Sequence, residues 1–189
     1  MQDKPFAKLF FLNFKFLTLN INHIPSFIYT KKVRSLLLAI GKTDNPYLIQ
    51  AIDDYLARAA HYAPLELHVI PDIRDARHLN REQQCQREGQ ELLHHLQPGD
   101  YVVLLDEGGS EYTSAEFARW LSQRQNAAPR RLVFIIGGPY GFSPDVRAAA
   151  HATLSLSRMT FSHQMVRLIF AEQYYRALTI LRGLPYHHE

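Results

Sequence analysis

A pair of glycines directly after the most apolar run of the chain is the first feature that points to chemistry. Residues 132–136, LVFII, form an unbroken apolar run, which is typical of a strand buried on both faces of a sheet. Gly137 and Gly138 follow it, and paired glycines allow a sharp turn and a close approach of a ligand to main-chain N–H groups. Ser143 and Pro144 then fit the N-cap and first residue of a helix. A ligand-binding loop and an ordinary strand-to-helix turn both fit this pattern, because its spacing is not that of the GxGxxG fingerprint.

The cysteine and histidine content argues against metal chemistry. Cys85 is the single cysteine, and no Cys or His stands at metal-ligand spacing from it. One cysteine excludes an internal disulfide framework and suits a reducing compartment, so we expect a cytoplasmic protein. His187 and His188 are adjacent, but two neighbouring histidines do not make a coordination sphere, and no metal site is predicted.

Alternating strands and helices are expected to position the glycine loop. This alternation predicts an α/β fold with a mainly parallel sheet flanked by helices, and ligands beyond the carboxyl ends of its strands. Three such ends lie at Leu105, Gly137 and Ser157. The predicted strands are 34–40, 65–70 (at an edge or half exposed), 101–105, 132–136 and 151–157.

The helices are predicted from capping residues and from apolar spacing. Thr113 and Glu116 have the spacing of a capping box. The predicted helices begin near Pro46, Arg81, Thr113, Ser143 and His163, and the last of them ends at Gly183. This last helix is expected to direct inward Met165, Leu168, Ile169, Tyr175, Leu178 and Leu181.

Composition indicates a globular chain with one folded domain. The chain has 189 residues, of which 47% are hydrophobic and 21% are charged, which suffices for a sizeable core. Five lysines and one aspartate give residues 1–32 a net charge of +4, which leaves −1 for the remainder of a chain whose total is +3. The body is therefore not basic, so binding of nucleic acid would require a local patch of positive charge.

Residues 1–32 differ from the rest of the chain. They are rich in Phe, Leu and Ile, but Asn13, Lys15, Asn20 and Pro25 interrupt the apolar run, which is too polar for a membrane span. The run also lacks the small-residue cleavage site of a signal peptide. We expect an extension outside the fold and no membrane partner.

Five motifs then occur in an order that is specific to one family. They are LLDEGG at 104–109, FIIGGPYGF at 134–142, LSLSRMTFSHQMVR at 154–167, EQYYRA at 172–177 and PYH at 185–187. Together they closely resemble the bacterial 23S rRNA pseudouridine N3-methyltransferases, a family of the SPOUT class. The resemblance covers residues 33–189, which are expected to form the SPOUT methyltransferase domain.

The resemblance also bears on residues 1–32. Family members begin with Met at the position of Val33, and no Met lies between Met1 and Met159. We therefore expect translation to begin at Val33, from a GUG-type codon, with residues 1–32 being mis-assigned upstream sequence. The alternative is a genuine disordered basic arm that helps to hold RNA.

The resemblance implies a fold and a cofactor that composition does not show. The C-terminal part of the sheet would be threaded into a deep trefoil knot, the protein would be a homodimer, and S-adenosylmethionine would bind in the knot. Adenine needs apolar side chains against its faces and backbone groups at its edge. The cofactor contacts implied by the matching motifs are Leu105, Gly137, Gly138, Leu156, Ser157, Arg158, Met159, Thr160 and Phe161.

The implied reaction is methylation of N3 of a pseudouridine in large-subunit rRNA. The methyl group of the cofactor is already activated, so the enzyme mainly has to align the target nitrogen, which must also lose a proton. The matching C-terminal motifs supply His163, Tyr186 and His187 as catalytic candidates, and Arg167 and Arg176 as RNA-binding candidates. Tyr186 and His187 are expected to reach the target nucleotide across the dimer interface.

Simpler roles stay open for several of these residues. His163 is also placed to cap the last helix, a terminal histidine is often merely solvated, and Glu172 and Arg176 have the spacing of an ordinary helix ion pair. Ser162 stands where the family usually has Pro, which is expected to loosen the turn. After Asp106 and Glu107 the chain has Gly108, Gly109 and Ser110, where the family often has a basic residue, so one contact with an RNA phosphate is expected to be missing.

Two other classes of function remain beside the enzyme. One is a non-catalytic ribosome-binding factor that keeps the cofactor pocket for structure, against which the intact Gly137, Gly138 and residues 156–161 argue. The other is a generic nucleotide-binding α/β domain, but the chain lacks a Walker motif and the acidic ribose contact of a Rossmann unit.

Overall fold

The computed structural model describes residues 33–73, 76–127 and 130–187. The extension predicted for residues 1–32 and the start site predicted at Val33 stay predictions, because residues 1–32 lie outside the described part. Among the described residues, no helix is long and apolar enough to cross a lipid bilayer.

Five parallel strands form a single sheet in this part of the chain. They are β1 (Arg34–Ile40), β2 (Leu65–Ile70), β3 (Asp100–Glu111), β4 (Arg131–Ile136) and β5 (Ala152–Ser155). Their order across the sheet is β2-β1-β4-β3-β5, and every pairing is parallel. The alternating strand β2 lies at an edge, as predicted, while the apolar runs of β1 and β4 are buried in the centre.

Helices cover both faces of the sheet. They are α1 (Pro46–Ala60), α2 (Arg81–His94), α3 (Ser114–Ala127), α4 (Pro144–Ala149) and α5 (Met165–Ile180). One core layer packs α1, α3 and α5 against one face through residues such as Ala59, Phe117 and Phe170. The other layer packs α2 and α4 against the opposite face through Leu92 and Val146. The predicted α/β architecture is thus confirmed.

Side chains at the helix starts explain where these helices begin. Asn45 accepts a hydrogen bond from the Tyr47 N–H at 2.9 Å, and Ser143 caps α4 in the same way. The predicted capping box is present at α3: the Glu116 N–H donates to the Thr113 hydroxyl at 3.3 Å, and the Thr113 N–H donates to the Glu116 carboxylate at 2.8 Å.

Strand β3 is longer than predicted. The sequence suggests an end at Leu105 because two glycines follow, yet the strand continues to Glu111 and pairs again with β5 after an irregularity between Leu105 and Ser110. A Cβ atom on Gly109 would lie 2.7 Å from main-chain atoms of Leu154 and Thr153. This glycine therefore permits a close approach of β3 to β5 and does not end the strand.

The buried face of α5 also differs from the prediction. Met165 is 40% exposed, and Leu168 and Ile169 are only partly buried. Of the predicted inward set, Leu178 is fully buried, and Tyr175 and Leu181 are partly buried and pack against the core. The residues that are buried are Arg167, Phe170, Ala171, Tyr174, Ala177, Leu178 and Thr179.

Candidate active site

A cavity of about 900 Å³ lies at the carboxyl ends of β3, β4 and β5. Leu105, Ile136 and Leu154 from these three strands form part of its wall, which also includes the glycine loop after β4, residues of α2 and α4, and the segment that leads into α5. In open parallel sheets this edge is where ligands bind. The structure therefore places a cavity where the sequence predicts a site.

The structure gathers the predicted cofactor residues around this cavity, except for Arg158. The Arg158 side chain is 85% exposed and forms an ion pair with Glu111 at 3.1 Å. Cofactor contact stays a prediction for the residues that line the cavity, which are Leu105, Gly137, Gly138, Leu156, Ser157, Met159, Thr160 and Phe161.

The glycine loop after β4 folds back on itself. The Gly141 N–H donates to the Gly138 carbonyl at 3.1 Å, and Gly141 has a φ of 79°, a conformation that favours glycine. A Cβ on Gly137 would lie 2.8 Å from the Gly141 carbonyl oxygen, and one on Gly138 would lie 2.2 Å from the Glu88 carboxylate. The sharp turn is thus confirmed, but protein atoms fill the space that side chains at 137 and 138 would need.

The segment after β5 is held by short hydrogen bonds. The Ser157 hydroxyl accepts from the Met159 N–H at 2.9 Å, which closes a tight turn. The Thr160 hydroxyl donates to the Glu107 carboxylate at 3.0 Å. Because Glu107 belongs to the long strand β3, the part of β3 that the sequence did not predict fixes the rim of the cavity.

The cavity wall combines apolar surface with acidic groups. Leu105, Leu156 and Phe161 provide the apolar surface, and the carboxylates of Asp106 and Glu107 also lie in the wall. A guanidinium partly balances them, since Arg147 pairs with Asp106 at 2.8 Å. Such a wall can hold a flat apolar group together with a positively charged one.

His163 lines the same cavity and does not cap α5. Gln164 occupies the N-cap position without a capping hydrogen bond. The cap is provided by Ser162, whose hydroxyl accepts from the Met165 N–H at 3.2 Å and whose carbonyl accepts from the Val166 N–H at 3.0 Å. The capping role considered for His163 is therefore wrong, because Ser162 provides the cap; the looser turn expected from Ser162 in place of Pro stays a prediction.

The predicted contact of Arg167 with RNA is wrong for this fold. Its side chain is completely buried and donates to the Ile40 carbonyl at 2.7 Å and to the Thr43 hydroxyl at 2.8 Å. Burial lowers the pKa of this guanidinium, and the carboxylates of Asp72 and Asp44 oppose the effect. Arg167 ties the end of β1 to α5 and presents no surface to RNA.

The other C-terminal candidates form a second cluster. The Arg176 guanidinium pairs with Glu172 at 2.5 Å, so the helix ion pair that the spacing allowed is present. The Tyr186 hydroxyl donates to the same carboxylate at 3.2 Å and lies 3.2 Å from the Tyr55 hydroxyl. The Arg176 guanidinium also lies 4.8 Å from the centre of the Tyr186 ring and 3.4 Å from Nδ1 of His187.

The environment of Tyr186 keeps its hydroxyl protonated. Burial raises the pKa of Tyr186 far above its usual range, and the hydrogen bond with Tyr55 and the negative charge of Glu172 raise it further. Tyr186 is therefore a hydrogen-bond donor at physiological pH and is not suited to be a base.

The two clusters are separate within the described residues of one chain. The cavity wall includes His163 but none of Glu172, Arg176, Tyr186 and His187. One chain thus brings the predicted cofactor residues together with one catalytic candidate, and it does not bring Tyr186 and His187 to them.

Three residues around these clusters have contacts that the sequence does not indicate. Tyr55 lies in α1, and nothing in its spacing along the chain indicates its contact with Tyr186. Glu88 lies in a polar helix, where a buried carboxyl has no sequence signal. Cys85 lines the cavity, and burial raises the pKa of its thiol, which keeps it in the less reactive protonated form.

Comparison with known proteins matches nearly all of the residues that the structure describes. A family model described as "Predicted SPOUT methyltransferase" matches residues 33–187. These residues include the three strand ends, the glycine loop and the C-terminal cluster.

Individual relatives are similar over the same region. The ribosomal RNA large subunit methyltransferase H of Parabacteroides distasonis is 56% identical over 153 residues, which are 81% of this chain and 98% of that protein. The proteins of the same name from Bacteroides fragilis and Porphyromonas gingivalis are 52% and 53% identical over 157 residues, which are 83% of this chain and 100% of each relative. With a family match over most of its length and relatives at this identity, the chain belongs to the SPOUT methyltransferase family.

Proposed function

We propose that this protein is a homodimeric enzyme that transfers the methyl group of S-adenosylmethionine to N3 of a pseudouridine in 23S rRNA of the large ribosomal subunit. The observation that carries this proposal is the cavity at the carboxyl ends of β3, β4 and β5, whose wall contains the residues that the family motifs assign to the cofactor. The relatives named as large-subunit rRNA methyltransferases support the substrate class. A ribosomal substrate puts the reaction in the cytoplasm.

The cavity fits the proposed cofactor in size and chemistry. Its volume of about 900 Å³ lies within the range of about 300–1,000 Å³ that is usual for ligand sites. Leu105, Leu156 and Phe161 would contact the faces of the adenine, while Asp106 and Glu107 would face the positively charged sulfonium. When bound, the cofactor supplies an activated methyl group.

The protein then has to align the target nitrogen and accept its proton. His163 is the candidate acceptor, because an imidazole ring nitrogen can accept a proton and because this side chain lies in the cavity wall. Tyr186 would not take up the proton, since its hydroxyl stays protonated; it would donate a hydrogen bond to the target base by turning away from the Glu172 carboxylate that it contacts in the free protein. His187 is the neighbouring candidate contact.

The separation of the two clusters supports the proposed homodimer. A second subunit would bring its Tyr186 and His187 to the cavity of the first, which one chain does not do by itself. Apolar side chains that a partner could cover are exposed near the start of α5 and on α1, with Met165 40% and Ile49 42% exposed. The deep trefoil knot of the C-terminal part belongs to the same proposal.

RNA contact is proposed through few side chains. The body carries a net charge of −1, so recognition would depend on the shape of the ribosomal surface and on individual cations such as Arg176. Arg176 is partly engaged by Glu172, which would fix the direction of its guanidinium towards a phosphate or base.

Transfer of labelled methyl from S-adenosylmethionine to ribosomes of a strain that lacks this gene tests the proposal. Mass spectrometry of the nucleosides should show N3-methylpseudouridine, and His187→Ala with Tyr186→Phe should lower its formation. Binding of the cofactor without methyl transfer would refute the enzyme and favour the non-catalytic ribosome-binding factor.

A further inference from the structure

Glu88 is a buried carboxyl that the proposed reaction does not use. It lies in α2 and is 3% exposed, although α2 is otherwise a polar helix. Its Oε1 accepts a hydrogen bond from the Gln84 side chain at 2.8 Å, while its Oε2 is buried and has no hydrogen-bond partner. A buried polar atom without a partner is costly, so its retention calls for a physical reason.

The reason lies in what the Glu88 carboxyl touches. The position that a Cβ would take on Gly138 is 2.2 Å from Oε2, 2.7 Å from Cδ and 2.9 Å from Oε1 of Glu88. The whole carboxyl group therefore occupies the space beside the main chain of Gly138. Gly138 itself lines the cavity.

The next residue of α2 makes a matching contact. A Cβ on Gly89 would lie 2.2 Å from the Ser143 hydroxyl and 3.3 Å from a methyl carbon of Val146. Ser143 is the N-cap of α4, at the other end of the glycine loop. Consecutive residues of α2 thus contact both ends of the loop that connects β4 to α4.

We propose that Glu88 is a positioning residue for the methyl-donor site, whose carboxyl supports the main chain of Gly138 from α2 and so holds the glycine loop in its cofactor-binding shape. This inference rests on the proposed binding of S-adenosylmethionine to the cavity. Glu88 does not line the cavity and acts only through the loop. A displacement of about 1 Å in such a loop can cost about a hundredfold in the function that the loop serves.

The charges around Glu88 do not provide an alternative partner for its Oε2. Burial raises the pKa of the Glu88 carboxyl, Asp72 after β2 raises it further, and Gln84 and His163 act in the opposite direction. Cys85, its neighbour on α2, feels the charge of Glu88 and that of Arg147 on α4. The contact with Gly138 is therefore tested with variants that change the shape and the charge of the side chain at position 88 separately.

The test is the dissociation constant of S-adenosylmethionine, measured by isothermal titration calorimetry on the full chain. Glu88→Ala should raise this constant about tenfold to a hundredfold. Glu88→Gln keeps the shape and the contact with Gln84, and it should restore most of the affinity. Glu91→Ala, an exposed position on the same helix, is the matched control and should bind as the wild type does.

A double-variant cycle tests the contact itself. Gly138→Ala alone should weaken binding because its Cβ would collide with the Glu88 carboxyl, and adding Glu88→Ala should recover part of that loss. Glu88→Asp, which withdraws the carboxyl by one methylene group and keeps its charge, should weaken binding even if Glu88→Ala is poorly folded.

The outcomes separate the two proposals. If the wild type does not bind S-adenosylmethionine, the proposed function fails. If the wild type binds and the Glu88→Ala and Glu88→Asp variants bind equally well, or if the effects of Gly138→Ala and Glu88→Ala simply add, the positioning role of Glu88 is refuted and the proposed function is untouched.

Discussion

Replacement of Gly109 by alanine should destabilise the protein through the close approach of β3 to β5. The new Cβ would lie 2.7 Å from three main-chain atoms of Thr153 and Leu154, and main-chain atoms within a sheet cannot move aside as the end of a side chain can. Overpacking of this kind typically costs about 1–3 kcal/mol. For a domain of this size each kcal/mol lowers Tm by about 2–4 °C, so a decrease of about 2–12 °C is expected.

The adjacent glycine provides the control for this prediction. A Cβ on Gly108 would meet only the Asp106 side chain at 3.3 Å, so Gly108→Ala should change the free energy of unfolding by less than about 1 kcal/mol. Both variants are measured by thermal unfolding with circular dichroism. Because β5 leads into the segment 156–161, Gly109→Ala should also weaken cofactor binding. Equal Tm values for the two variants would show that the approach of the strands is not tight and would refute the reasoning.

Three further variants test individual side chains. Tyr186→Phe removes the hydrogen bond to Glu172 and should lower kcat/KM by about tenfold or more. The free energy of unfolding should change by only about 0.5–1.5 kcal/mol. An unchanged kcat/KM would argue against a role of Tyr186 in the reaction. Arg167→Gln removes the positive charge and cannot make both contacts, to the Ile40 carbonyl and to the Thr43 hydroxyl, so it should cost about 1–3 kcal/mol in urea unfolding. It should leave the salt dependence of RNA binding unchanged, and a shallower salt dependence would restore Arg167 as an RNA contact. The pKa of Glu88 is raised in the folded protein, so its ionised form destabilises the fold at pH values above that pKa and not at pH values below the pKa of the unfolded chain. Glu88→Gln should therefore raise Tm more at pH 8 than at pH 5. A larger gain at pH 5 would contradict the direction assigned to this pKa.

The sequence predicted the strands of the sheet because continuous burial leaves a simple signal. The continuous apolar runs of β1 and β4 indicated strands buried on both faces, and the alternation in β2 correctly indicated an edge strand. Capping residues were equally informative, because a cap is a local interaction between residues close in sequence. Ser143 and Thr113 both occupy the positions predicted for them.

What the sequence could not predict depends on neighbours that are distant in the chain. Gly109 looked like the end of a strand, since its close contact with β5 is visible only in three dimensions. The apolar spacing of α5 indicated only part of its inward face, Tyr175, Leu178 and Leu181, because that face also contains Arg167, whose hydrogen-bond partner, the Ile40 carbonyl, is distant in the chain. The candidate site shows the same limit, because the motifs that indicated its residues gave no signal for the contacts of Tyr186 with Tyr55 and of Gly138 with Glu88.

The separation of the two clusters leads to a last prediction about the dimer. If each active site combines the cavity of one subunit with Tyr186 and His187 of the other, two inactive variants should complement each other. One variant carries His163→Ala in the cavity, and the second carries Tyr186→Phe with His187→Ala in the C-terminal cluster. A mixed dimer of the two has one site in which both defects meet and one in which neither is present.

Co-expression of the two variants with different affinity tags allows the mixed dimers to be isolated. Random pairing makes half of the dimers mixed, each with one intact site, so the unfractionated mixture should recover about one quarter of the wild-type methyl transfer. The isolated mixed dimer should recover about one half. If cavity and C-terminal cluster of the same chain worked together, every site would carry one defect and no activity would return. Recovery therefore requires that the cluster around Glu172, which lies outside the cavity of its own chain, serves the cavity of its partner.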